Sequence, residues 1–226
     1  MTVLLEQLLG RQPEALLFDL DGTLIDSVPD LASAVDHTLK SADLPVAGEA
    51  LVRGWVGNGA RKLLARALEH CCGRADEAEL DRLLPVFFEA YEHCCAEQTV
   101  AYAGVETALQ HWHKVGIKLA CVTNKPERFA LKIIHHFAWD EWMPVVLGGD
   151  SLTQKKPSPE PLWEACRRLG VARNGAIMVG DSVNDVQAAR AAGMPVIAVP
   201  YGYNYGSDIR EAGPDLVVSQ LDELLT

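Results

Sequence analysis

The chain has 226 residues, 49% of them hydrophobic, and a formal net charge of −11. That length suits one large domain, or a core domain with a smaller one inserted, and the apolar share allows a real core. The acidic balance argues against nucleic acid and anionic membrane surfaces as partners, since both select basic faces, and an anionic substrate would need a locally positive pocket.

Met1 to Gly10 carry Glu6 and no Lys or Arg before Arg11, unlike the charged start of a secretory signal. No apolar run approaches the ~18 residues of a membrane span. The six cysteines do not read as a disulfide framework, and reduced thiols in a cytoplasmic protein are the expectation.

Glu14 to Leu20 reads as a buried strand. At its end Asp19 and Asp21 stand two residues apart, and in an extended chain such positions point to the same side. Carboxylates beside Leu16, Leu17 and Phe18 need a partner, and a cation is the simplest; the plain alternative is a surface Asp-Gly turn. From Ser27 to about Gln98 the pattern turns helical, over Asp30 to Asp43, Ala50 to Trp55, Gly59 to Cys72 and Glu77 to Ala96, with no strand-like run between.

After Gly104 apolar strands and helices alternate. A helix is expected over Val105 to Lys114, a strand over Ile117 to Thr123 and a helix over Pro126 to Phe137. A strand over Val145 to Gly149 and a helix over Pro159 to Leu169 follow. A strand over Ala176 to Gly180, a helix over Val183 to Ala192 and strands over Val196 to Val199 and Leu216 to Val218 complete the series. This alternation predicts an α/β fold, a doubly wound parallel sheet with a Rossmann-like core and an inserted all-helical unit. Residues 27–98 form the insert, and 1–26 with 99–226 form the core.

Ligands bind at the carboxyl ends of strands in such sheets. Those ends carry Asp19 and Asp21, Thr123-Asn124, Gly148-Gly149-Asp150 and Gly180-Asp181-Ser182, with Lys155-Lys156-Pro157 between the last two. Carboxylates suit a metal, hydroxyl and amide donors suit an oxyanion, and a lysine balances charge. The oxygen-rich, histidine-free set favours Mg²⁺ over zinc.

These motifs resemble the phosphatase branch of the haloacid dehalogenase superfamily. Asp19-Leu20-Asp21-Gly22-Thr23 resembles the first motif and Val122-Thr123-Asn124 the second. Lys156 in Lys-Pro-Ser-Pro matches the third, and Gly180-Asp181-Ser182-Val183-Asn184-Asp185 the fourth. The resemblance implies that Asp19 is the nucleophile, forming an aspartyl-phosphate, and that Asp21 is the general acid and then base. Thr123 would bind phosphoryl oxygens with Asn124 beside it, and Lys156 would neutralise charge. Mg²⁺ would be held by the Asp19 carboxylate, the Asp21 main-chain carbonyl and Asp181, with Asp185 one shell further out. Lys155 reads as a solvated charge, and Asp150 as a helix cap or outer-shell group.

The helical insert takes the place of the superfamily's cap, which closes over the site. Arg53-Gly54-Trp55-Val56-Gly57-Asn58-Gly59-Ala60-Arg61-Lys62 is its candidate substrate reader. Gly57 and Gly59 allow close backbone approach on either side of Asn58, these three are candidate substrate contacts, helix N-terminal amides can bind an anion, and Arg61 is the candidate for a substrate carboxylate. With Phe18 to Leu31, Val122 to Phe129 and Tyr201 to Gly206, this stretch resembles the bacterial phosphoglycolate phosphatase family. That implies 2-phosphoglycolate, a small phosphorylated metabolite, as substrate. A sugar phosphate or nucleotide phosphatase is the alternative, or a phosphohexomutase of the same superfamily.

Glu-His-Cys-Cys occurs at Glu69 to Cys72 and again at Glu92 to Cys95. Near the C-terminal ends of consecutive antiparallel helices the two would lie on the order of 30 Å apart, so packing thiols are expected rather than a shared metal. His111, His113, His135 and His136 read as surface or packing residues, and Trp112, Trp139, Trp142 and Trp163 as packing residues. Tyr201, Tyr203 and Tyr205 fit a pocket mouth and an exposed turn equally.

Overall fold

A computed structural model describes residues 3–225. A short helix α1 (Val3–Leu9) leads into strand β1 (Ala15–Phe18), followed by the two-residue strand β2 (Ile25–Asp26). Helices α2 (Val28–Ser41), α3 (Glu49–Arg53), α4 (Ala60–Cys72) and α5 (Glu77–Cys94) come next. The two-residue strand β3 (Val100–Ala101) then pairs antiparallel with β2. The rest alternates: α6 (Val105–Lys114), β4 (Lys118–Val122), α7 (Glu127–His136), β5 (Val145–Leu147), α8 (Glu160–Leu169), β6 (Ala176–Gly180), α9 (Val183–Ala192), β7 (Val196–Ala198) and β8 (Leu216–Val217).

Six strands form one parallel sheet in the order β5-β4-β1-β6-β7-β8. The earliest strand is therefore central: Ala15 pairs with Lys118 on one side and Ala176 on the other. Its four residues are all buried, as a parallel strand covered on both faces requires. Alternate side chains serve opposite layers. Leu16 and Phe18 join a core with Trp112 of α6, and the Phe18 and Trp112 rings stack at 5.6 Å. Ala15 and Leu17 join the other core, with Leu162 and Ala165 of α8 and Ala188 and Ala189 of α9.

In α5, Leu80, Leu83, Phe87 and Tyr91 are buried, a stripe of helical spacing that continues the first of these cores. Asp76 starts this helix, its side chain accepting from the Ala78 amide at 2.9 Å. Tyr91 meets Phe129 of α7 edge-on at 4.8 Å. The helical block and the sheet thus share packed aromatics directly above the strand ends.

The expected strands and helices are present within a few residues. α1 and the β2–β3 pair were not expected. One is only two turns long, and the strands of the other are too short to show a period. Among the described residues no helix is long and apolar enough to cross a membrane.

Candidate active site

The carboxyl ends of β1, β4 and β6 are neighbours, so their following residues converge. Asp19 follows β1 and is buried. Its Oδ1 accepts the Leu20 amide at 2.7 Å and lies 2.8 Å from Lys156 Nζ. No hydrogen bond among the described residues engages its Oδ2. Lys156 also contacts Asp185 Oδ1 at 2.7 Å. Burial alone would pull this ammonium down, but Asp185 and Asp19 outweigh it and hold the lysine above its ordinary value.

Asp181 follows β6. Its Oδ1 accepts from the Thr23 hydroxyl at 2.9 Å and its Oδ2 from the Tyr203 amide at 2.8 Å. Backbone presses on it from two sides: a Cβ at Gly22 or Gly202 would lie 2.3 or 2.2 Å from Asp181 Oδ2. Gly22 also has a φ of +88°, a conformation that glycine adopts without strain. Asp185 opens α9 with a capping box, its Oδ2 accepting from the Ser182 amide at 3.0 Å and hydroxyl at 2.7 Å.

Asp19, Asp181 and Asp185 bring carboxylate oxygens within 4.8 Å of one another. Burial pushes Asp19 up to about 6 against the opposing pull of Lys156, and Asp185 and Asp21 add to the rise. Burial, then Asp185 and Asp19, push Asp181 well above its ordinary value. The cluster is short of positive charge. Three buried acids with hard oxygen ligands and one ammonium fit a divalent cation. Both oxygens of Asp181 and of Asp185 accept from protein donors, whereas no hydrogen bond among the described residues engages Asp19 Oδ2, so Asp19 is the best placed of the three to offer a ligand atom.

Asp21 faces the neighbouring space. Its Oδ1 accepts from the Ser27 hydroxyl at 2.5 Å. Lys125 Nζ lies 2.9 and 3.1 Å from its two oxygens. Lys125 is buried and was not expected here; its ammonium also sits 4.9 Å from the centre of the Tyr91 ring. Its signal was its position, one residue beyond Thr123-Asn124 at a strand end, beside carboxylates that needed a partner.

A cavity lies between the strand ends and the helical block. Asp19, Asp21, Thr123, Asn124 and Lys125 line one side, and Val56, Gly57, Gly59, Ala60 and Leu63 another. Leu31, Phe87, Tyr91, Pro126 and Phe129 complete it. Thr123 Oγ1 accepts the Lys125 amide at 3.2 Å, leaving its hydroxyl proton for a ligand. Asn124 Nδ2 donates to Gly57 O and to Lys156 O, both at 3.0 Å. Gly57, whose carbonyl it holds, has a φ of +120°, and a Cβ there would lie 2.6 Å from the Tyr205 hydroxyl.

Two expected substrate-site residues lie elsewhere. The Arg61 guanidinium is paired with Glu77 and Asp81 of α5 and does not line the cavity. In the first turn of α4 it points to the acidic start of the next helix, where both charges stay solvated. Asn58 is also turned away: its side-chain oxygen accepts from Arg66 at 2.7 Å. Its carbonyl accepts from Lys155 at 2.8 Å, so Lys155 pins this loop to the sheet side. Asp150 caps α7, accepting the Glu127 amide at 2.7 Å. None of the three tyrosines is an exposed turn residue. Tyr201 bonds Thr23 O, Tyr203 is buried on Asp26, and Tyr205 accepts from Asn184 at 2.7 Å.

A parallel sheet whose central strand ends in Asp19-Leu20-Asp21, facing a lysine and two further acids, defines a class of hydrolase. The model of the haloacid dehalogenase-like hydrolase family matches residues 16–199, and the chain belongs to that family. Among its relatives, the phosphoglycolate phosphatase of Pseudomonas syringae pv. tomato is 44% identical over 220 residues, covering 96% of this chain and 80% of that protein. The phosphoglycolate phosphatase of Psychrobacter arcticus is 46% identical over 208 residues, 89% of each. The crystal structure of a predicted phosphoglycolate phosphatase from Haemophilus somnus 129pt superposes with a TM-score of 0.90 at 36% identity, covering 95% of this chain and 97% of that one.

Proposed function

We propose that this chain is a Mg²⁺-dependent phosphatase that hydrolyses 2-phosphoglycolate to glycolate and phosphate. The observation that carries the reading is Asp19: a buried carboxylate with Oδ1 fixed by Leu20 N and Lys156 and Oδ2 unengaged, in the wall of the cavity. The names of relatives at 44–46% identity support the substrate. So do the apolar cavity walls, which offer a small acid's methylene better company than a polyol's hydroxyls.

Asp19 Oδ2 attacks phosphorus, and the bond from phosphorus to the glycolate oxygen breaks. Asp21 gives its proton to that oxygen. In the second step Asp21 takes a proton from water, the water oxygen attacks phosphorus, and the aspartyl-phosphate bond breaks to release phosphate. Lys156 steadies the nucleophile and the phosphoryl charge, and the Thr123 hydroxyl donates to a phosphoryl oxygen. Asp19, Asp181 and the Asp21 carbonyl would hold Mg²⁺, with Asp185 behind them; when bound it supplies charge neutralisation between anionic nucleophile and anionic phosphate. Residues 27–98 serve as a cap that excludes water over a core of 1–26 and 99–226. The six free cysteines suit a cytoplasmic setting.

A panel of 2-phosphoglycolate, hexose phosphates and nucleoside monophosphates with Mg²⁺ tests this. Phosphoglycolate should give the highest kcat/KM, lost on chelation. An isomerised hexose phosphate as product, or a flat panel, would contradict it. Asp19→Asn should lower kcat by at least a thousandfold; normal turnover in that variant would remove the nucleophile from the scheme.

A further inference from the structure

We propose that Lys125 is the residue that selects an anionic leaving group, by binding the carboxylate of the substrate. The inference rests on the phosphatase reading above. Among the described residues lining the cavity, Lys125 is the one cationic side chain. Arg61 is spent on Glu77 and Asp81. Arg66 donates to Asn58 and lies over Tyr205. Lys156 is held between Asp19 and Asp185.

The placement matches the substrate's own dimensions. Asp21 serves the leaving oxygen and so lies within hydrogen-bond reach of it. In phosphoglycolate a carboxylate oxygen lies roughly 3 Å from that leaving oxygen, by standard bond lengths. Lys125 Nζ is 2.9 and 3.1 Å from the Asp21 oxygens. An ammonium there reaches a carboxylate one carbon beyond the scissile oxygen and is too close for a group several carbons further out. Tyr91 and Phe87 of α5 flank it from the helical side, so the contact forms in a space shielded from water, where a charge-assisted hydrogen bond is strong. Lys125 thereby joins the acid that serves the leaving group to the feature that identifies it.

The test measures binding, by calorimetry, of 2-phosphoglycolate and of ethyl phosphate, which lacks the carboxylate. The protein is Asp19→Asn, in which neither ligand is turned over, with and without Lys125→Met. The parent should prefer phosphoglycolate. Adding Lys125→Met should weaken phosphoglycolate roughly tenfold to a hundredfold and ethyl phosphate less than about threefold. A preference that survives overturns the assignment, and so does an equal loss for both ligands, the mark of a merely structural lysine. A parent that does not prefer phosphoglycolate fails the substrate reading itself. If Lys125→Met loses its cooperative melt, Lys125→Gln keeps the stem without the charge and is read in the same way.

Discussion

Asp19 has a carboxyl pushed up to about 6, chiefly by burial. Its folded value lies above the ordinary 3.8. The group therefore stabilises the metal-free fold below about pH 4, and that contribution is lost as pH rises through 6. Asp19→Asn removes the dependence. Without metal, the variant's melting temperature relative to wild type should rise between pH 4 and 7, by the equivalent of up to roughly 3 kcal/mol. A flat difference across that range would show that Lys156 already neutralises the acid. The same sign governs metal. A Mg²⁺ held as proposed would need the Asp19 carboxylate, so its apparent affinity should fall as pH drops below 6, with proton release visible by calorimetry in buffers of different ionisation enthalpy.

At the scale of elements, the cavity depends on a loop between α3 and α4 held by other parts of the chain. Asn124 and Asn184 both donate to the Gly57 carbonyl, at 3.0 and 3.3 Å, while Tyr205 lies against the Gly57 α-carbon. Gly57→Ala adds both backbone strain at φ +120° and a clash with that hydroxyl. It should lower kcat/KM by about tenfold, as expected for 1–2 kcal/mol of displaced loop, and Tyr205→Phe should restore part of the loss. Equal melting temperatures alongside the kinetic defect would separate loop placement from global stability. Deeper in the fold, Trp112 is fully buried against Phe18, and Trp112→Ala should cost about 3–5 kcal/mol in denaturant unfolding. These elements differ in how legible they were. The strands over Ala176 to Gly180 and Lys118 to Val122 stand out because both faces are buried and every residue is apolar or nearly so. Asp19 and Asp181 were legible because strand-end position and residue type point the same way, whereas Lys156, in the loop between β5 and α8, was told apart from Lys155 only by the Lys-Pro-Ser-Pro resemblance. Arg61 was misplaced because sequence shows a charge near a glycine turn but not which neighbouring helix presents Glu77 and Asp81 to it. Lys125 was passed over for a related reason: its partner Asp21 is adjacent only once β4 lies beside β1.

For the molecule as a whole, the six thiols report on how far it opens. Cys72 is exposed, whereas Cys95, Cys121 and Cys166 are buried. Burial pushes Cys94 and Cys166 up to about 11, so few thiolates form there at neutral pH. Alkylation at pH 8 should label Cys72 first, with Cys121 and Cys166 reacting only at the rate of unfolding. Rapid labelling of Cys121 in native protein would mean that β4 opens independently of the rest.

The sheet order has one more consequence, in the time course of synthesis. β1 emerges from the ribosome first, yet it is flanked by strands beginning at Lys118 and Ala176. Until the second of these is made, Ala15 to Phe18 have one edge unpaired, and Asp19 stands apart from Asp181. Backbone pairing over such separations is slow because the closure entropy must be met before the contacts form. A nascent chain of this protein therefore carries Asp19, the proposed nucleophile, through most of translation without Lys156 and Asp181 beside it. A chaperone that binds exposed apolar strands would find β1 available for that whole interval. Chains stalled before Ala176 should be readily proteolysed near Asp19, and those released beyond Val217 should resist.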